Sequence, residues 1–221
     1  QAPVRHRATA ARAARSGGRQ LALSTTLVII FATVAVSMLA WRDRGLLDRL
    51  VLWPPAVQRQ RQYWRLLSYG LVHADGPHLL FNMVTLYFFG RLIEGVLGQL
   101  AGPFAYVAFY AGGLLVAILP SYLRNRHDPS YRSLGASGAV SAVLFAFILL
   151  QPWALLFVFF IPVPAIVFAA IYLAYSIWSS HRGGDNVNHS AHLWGAAYGI
   201  GFMLALEPRL LALFWQRLLA P

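Results

Sequence analysis

Six apolar runs, divided by polar stretches, leave this chain of 221 residues few folds to choose from. They cover Leu21–Ala40 and then residues 78–98, 102–122, 135–151, 153–178 and 190–207. Each is close to the roughly 20 apolar residues that carry a helix across about 30 Å of hydrocarbon. The fourth run is short. The fifth is long and holds Pro162 and Pro164, whose missing donors predict a kink inside a helix. Only 11% of residues are charged, against about 25% in ordinary soluble domains. The expected fold is an all-α membrane protein, a bundle of six transmembrane helices with a long first loop. The membrane domain spans 21–207, after a disordered basic tail at 1–20 and before a short amphipathic tail at 208–221.

The net charge of +11 invites a nucleic-acid reading. Five arginines fall within the first 19 residues, and the others lie in loops without basic–aromatic interleaving. A cytoplasmic tail beside anionic lipid accounts for that pattern, with no nucleic-acid partner. A secretory signal is the rival reading of the N-terminus. The run Leu21–Ala40 is longer than a signal core, and Trp41-Arg42-Asp43-Arg44 follows it instead of a small-residue cleavage pattern. All 18 basic side chains are arginine and there is no cysteine, which excludes disulfides and thiolate metal sites. The first loop carries six arginines among Trp41, Trp53, Tyr63 and Trp64. That mixture suits an interfacial loop, and it leaves the positive-inside count undecided.

Ionisable and polar side chains inside a bilayer are costly and mark function. Three groups stand out: His78-Leu-Leu-Phe-Asn82, Gly135-Ala-Ser137-Gly138, and His189-Ser-Ala-His192 followed by Gly195 and Gly199. All three open even-numbered runs. In a serpentine of six helices those ends share one side of the membrane, so the three groups lie at one depth. His78 and Asn82 are four apart and share a helix face. Gly195 and Gly199 fall on the face of His192, where small residues admit a neighbouring backbone. Gly138, Ser141 and Ala142 offer a matching face near Ser137.

Such packing brings a hydroxyl to an imidazole. A serine is a weak nucleophile until a base takes its proton, and neutral His192 is suited to that role. Ser137 opens its helix, where unpaired backbone N–H groups and the helix dipole favour a developing oxyanion. His78 and Asn82 are side-chain donors for the same oxygen. Each feature also has a plainer meaning. Glycines at this spacing commonly form a packing seam, and His78 with Asn82 would serve as a buried bonded pair. His189 and His192 would suit a metal, but no HExxH, cysteine or third ligand accompanies them. No metal and no cofactor are expected.

At these residues, from about Trp64 to Gly201, the sequence resembles the rhomboid intramembrane proteases. Trp64-Arg65, His73, His78 to Asn82, and Gly90, Glu94 and Gly98 match in order, as do Gly135-Ala-Ser137-Gly138 and Ala191-His192 with Gly195 and Gly199. The resemblance implies a Ser137–His192 dyad without a required acid, which leaves Asp185 outside it. It implies an oxyanion hole of His78, Asn82 and the Ser137 N–H, and structural roles for Trp64 and Arg65. It also implies a mobile cap at 179–190 and a lateral gate in the fifth span. Two positions depart from the family pattern. Ser141 stands where an aromatic ring often stacks on the histidine, so another ring, such as Trp194, would hold His192. Ala142 stands where glycine is frequent.

The implied activity is that of a serine endopeptidase cutting in or near transmembrane segments of membrane-protein substrates. The implied location is a bacterial inner membrane, with the N-terminus cytoplasmic and the site facing outward. The alternative is an inactive relative that binds or escorts membrane proteins. A transporter using the buried histidines is a third reading.

Overall fold

The computed structural model describes residues 24–158, 160–182 and 187–220. The predicted tail at 1–20 and Asp185 lie outside them. Helix α1, Thr25–Arg42, is followed by three short helices: α2, Arg44–Leu50, α3, Pro54–Arg59, and α4, Arg65–Ser68. A long helical stretch then runs through α5, Gly76–Thr85, a π-helical turn, Leu86–Gly90, and α6, Arg91–Ala101. Helices α7, Ala105–Arg124, and α8, Ser137–Leu150, come next. Strands β1, Leu155–Val158, and β2, Ile161–Pro164, precede α9, Ala165–Arg182, α10, His189–Leu206, and α11, Arg209–Leu219.

Helix starts follow local chemistry. The Asp43 carboxylate accepts the N–H groups of Gly45 and Leu46 at 2.8 and 3.2 Å. Asp75 accepts from His78 N at 2.7 Å, and the Asn188 amide oxygen from Ala191 N at 3.0 Å. Each satisfies first-turn donors that the helix cannot. Gly102, at φ 89°, ends α6.

Helix α8 is apolar on every side, and every residue from Gly138 to Leu149 is buried. Such a helix belongs in the middle of a bundle. Helices α7 and α10 pack on it, and α9 packs mainly on α10. Helix α1 exposes Val28, Phe31 and Leu39 on its outer face, as a lipid-facing helix does. Among the described residues, Thr25–Arg42, Gly76–Ala101 and Ala105–Arg124 are each long and apolar enough to cross a membrane. His189–Leu206 with Arg209–Leu219, bent by 115°, would make a fourth. The chain is a multi-pass membrane protein.

The fifth apolar run departs from expectation. Strands β1 and β2 pair antiparallel, Phe157 with Pro162 and Leu155 with Pro164. Pro162 and Pro164 therefore sit on an edge strand, where the missing donor is harmless, and not at a helix kink. The helix begins only at Ala165. The first loop is largely helical, and buried Arg65 organises it. Its guanidinium donates to Asp48 O and Val51 O, each at 2.7 Å, and to Gln62 Oε1 at 2.6 Å. Trp64 is largely exposed. Glu94 accepts four hydrogen bonds from Ser24, Thr25 and Thr26, fastening the start of α1 to α6.

Candidate active site

Three anchors hold the turn that leads into α8. Ser133 exchanges backbone hydrogen bonds with Leu52, at 2.9 and 3.1 Å. Gly135 N donates to Tyr69 O at 2.9 Å. Ala136 N donates to His73 Nε2 at 3.3 Å. Gly135 has φ 108°, which side-chain-bearing residues rarely adopt, and a Cβ there would come within 2.6 Å of the His78 ring. Because His73 Nε2 accepts, its proton sits on Nδ1, which faces Ser37 Oγ at 3.1 Å. Ser37 Oγ in turn donates to Leu71 O at 3.0 Å.

The next residue, Ser137, is the first of α8. The packing of α10 on α8 decides what it meets. A Cβ on Gly195 would collide with Gly138 O, and one on Gly199 with Ala142 O. The two backbones therefore touch along a glycine seam. Gly138 itself leaves no room for a side chain beside Ala117 of α7. This approach sets Ser137 Oγ 2.8 Å from His192 Nε2. A hydroxyl donating to Nε2 leaves the imidazole neutral with its proton on Nδ1.

Ser137, His192, His78 and Asn82 all line one cavity of about 1070 Å³. The His78 ring lies against Gly135 and edge-on to His73, with centroids 4.9 Å apart. Asn82 donates one amide N–H to His78 O at 2.9 Å, so its second can face the cavity. The first N–H groups of α8 have no intrahelical acceptor. A hydroxyl, an imidazole and side-chain and backbone donors thus border a space large enough for a peptide segment. Among the described residues, no three His, Cys, Asp or Glu side chains gather as a metal site.

Other residues of the site gave no signal in the sequence reading. Asn188 caps α10, accepts from Ser121 Oγ at 2.9 Å and donates to Tyr131 Oη at 3.2 Å, tying α10 to α7 and to the loop before α8. The ring on His192 is Tyr172 of α9, with centroids 5.9 Å apart and planes at 22°. Trp194 is half-exposed and does not take that place. Tyr172 Oη and Ser141 Oγ are 2.7 Å apart. Ser179, Ser180, Val187 and Asn188 border the cavity, within the segment expected to cap it.

Comparison with known proteins adds a family. The Rhomboid domain pattern matches residues 60–209. RHOMBOID-like protein 12, mitochondrial, of Arabidopsis thaliana is 37% identical over 147 residues, 60% of this chain and 43% of that protein. Rhomboid protease GlpG of Haemophilus influenzae is 27% identical over 128 residues, 56% and 62% respectively. Rhomboid protease GlpG of Pectobacterium atrosepticum is 32% identical over 130 residues, 58% and 42%. The chain spans less than two thirds of the length of each of these relatives.

Proposed function

The chain belongs to the rhomboid family, and from that premise we propose that it is an intramembrane serine endopeptidase acting on membrane-protein substrates. The observation that carries this reading is the 2.8 Å contact between Ser137 Oγ and His192 Nε2 at the wall of the cavity.

The mechanism follows from those atoms. His192 Nε2 takes the Ser137 proton as Oγ attacks a substrate carbonyl carbon. Negative charge then develops on the carbonyl oxygen. The Ser137 N–H, the positive end of α8 and the His78 and Asn82 side chains are preorganised to receive it. Protonated His192 gives its proton to the leaving amine, which breaks the peptide bond and leaves an ester on Ser137. Water entering the cavity, deprotonated by His192, hydrolyses that ester and restores the dyad. A substrate helix hides its carbonyls in its own hydrogen bonds. Segments weakened by glycine or other poor helix formers therefore unwind and react more readily.

We further read six spans: α1, α5 with α6, α7, α8, α9 and α10. The N-terminus lies in the cytoplasm of a bacterial cell, and the cavity faces outward. Relatives in two bacteria support that cell type, while the Arabidopsis relative carries a mitochondrial name. Trp64, Arg65 and Glu94 serve the architecture, and Gly135, Gly138, Gly195 and Gly199 the close approaches around the dyad.

The experiment compares the protein with Ser137→Ala and His192→Ala on a single-span reporter in liposomes, alongside labelling by a fluorophosphonate. Cleavage and labelling by the parent protein, lost in both variants, is the expected result. Equal cleavage by Ser137→Ala would overturn it. Reporter capture with neither cleavage nor labelling would identify an escort protein instead.

A further inference from the structure

Helix α9 buries only Ala165, Ala169, Ser176 and Ser179 fully. With Tyr172 these residues form a stripe at spacings of four, three, four and three, one face of a helix. Four members are small and let α9 lie close to its neighbours. Tyr172 is the only large one. Its ring passes over His192, and its hydroxyl meets Ser141, which sits one turn after Ser137 on α8. Phe145 of α8 and Phe168 of α9 close around the ring, each with centroids 5.7 Å away. One side chain of α9 thus touches the base directly and reaches the nucleophile's helix through a hydrogen bond.

From this we propose that Tyr172, held by Ser141, is a positioning residue for His192, so that the base is competent only while α9 is seated against α8 and α10. The inference rests on the proteolytic reading above and deepens it. A catalytic imidazole must not turn about its Cβ–Cγ bond, because such rotation swings Nε2 off the hydroxyl it serves. A stacked ring on its face restricts that rotation and keeps the Nε2 lone pair on the Ser137 hydroxyl. The Ser141 bond fixes where the ring stands. Helix α9 also packs mainly on α10. Its outward face exposes Val167, Ile171, Tyr175 and Trp178, and its packing against α8 is slight. Any outward shift of α9 takes the ring from the base, so the chemistry waits on helix closure.

The test uses the whole protein in liposomes, with kcat and KM on a single-span reporter and the rate of Ser137 labelling by a small soluble fluorophosphonate. Tyr172→Phe keeps the ring and loses only the bond, so kcat falls less than about threefold. Tyr172→Ala loses the stack. Its kcat and labelling rate both fall roughly tenfold, equivalent to about 1.4 kcal/mol, with KM unchanged. The double variant Ser141→Tyr with Tyr172→Ala supplies a ring from α8 and recovers most of the lost rate. A purely structural tyrosine gives a different pattern: the labelling rate of folded Tyr172→Ala equals that of the parent, or the double variant recovers nothing. Either overturns the proposal and leaves the proteolytic reading standing. A parent protein that neither cleaves nor labels overturns both.

Discussion

His73 Nε2 accepts the backbone N–H of Ala136, the residue before Ser137, at 3.3 Å. A residue of the first loop thereby holds the turn from which Ser137, the proposed nucleophile, projects. Only a neutral imidazole can do this, because a protonated one has no lone pair to offer. Burial, reinforced by nearby His78 and opposed by Asp75, pushes the His73 pKa down from 6.5 to about 4. The folded value lies below the unfolded one, so the associated stability is fully present above about pH 6.5. It drains away as pH falls toward 4, by up to about 3 kcal/mol. The thermal midpoint in detergent is therefore expected to be flat above pH 7 and to fall between pH 6.5 and 4. His73→Gln, which does not titrate, should start lower and lose less over that interval. A parallel fall in both proteins would assign the acid sensitivity to other groups.

The glycine seam supplies an internal control. Gly195 and Gly201 lie on the same helix, α10. A Cβ on Gly195 meets Gly138 O, whereas one on Gly201 meets nothing within 4 Å. Gly195→Ala should separate α10 from α8 and draw His192 from Ser137. The expected cost is about 1–3 kcal/mol of stability, with reporter cleavage down by 100-fold or more, roughly the 2.7 kcal/mol that a misplaced base forfeits. Gly201→Ala should keep full activity and gain up to about 1 kcal/mol, as alanine does over glycine inside a helix. Thermal midpoints and cleavage rates of the two variants, measured side by side, decide the point.

These residues also show what the sequence could reveal. Polar side chains at the openings of alternate apolar runs must share a depth, so Ser137, His192, His78 and Asn82 could be grouped before any coordinates. Gly195 and Gly199 announced a close approach by their spacing. Tyr172 could not be found this way, because an aromatic residue in an apolar run carries no mark of what its ring will cover. The pairing of β1 with β2 was hidden for a related reason. A continuous apolar run reads alike as helix or buried strand, and the two prolines mark a break without naming its form. Asn188 was one polar residue in a polar loop, and two of its three partners, Ser121 and Tyr131, lie far off along the chain.

Glu94 stands 16 residues after His78 in the long helical stretch, roughly 24 Å along its axis. It therefore acts far from the cavity. Its carboxylate accepts from Ser24 Oγ, Thr25 N, Thr26 N and Thr26 Oγ1, at 2.5, 2.6, 3.1 and 2.7 Å. Glutamine keeps one acceptor oxygen and turns an NH₂ toward these donors. Glu94→Gln should destabilise the protein by about 2 kcal/mol while leaving kcat on the reporter unchanged well below the unfolding temperature. A fall in kcat without a fall in thermal midpoint would give Glu94 a part in the chemistry.

In the proposed six-span reading the two ends of α8 lie on opposite sides of the bilayer, and α11 marks the end away from the cavity. The Arg217 guanidinium donates to Leu150 O, and Trp153 Nε1 to Leu218 O at 3.2 Å, closing the last turn of α8 against α11. That helix turns by 115° from α10 and exposes Leu211, Leu213 and Trp215, the pattern of a helix lying in the interface. The chain has no native cysteine, so a single introduced thiol reports its side without background. Arg126→Cys sits in the exposed loop leading to the cavity, and Gln216→Cys is exposed on α11. In intact cells a membrane-impermeant maleimide should label Arg126→Cys at once and Gln216→Cys only after permeabilisation. The reverse order would invert the proposed orientation. Labelling of both in intact cells would mean that α8 does not separate two sides of a membrane.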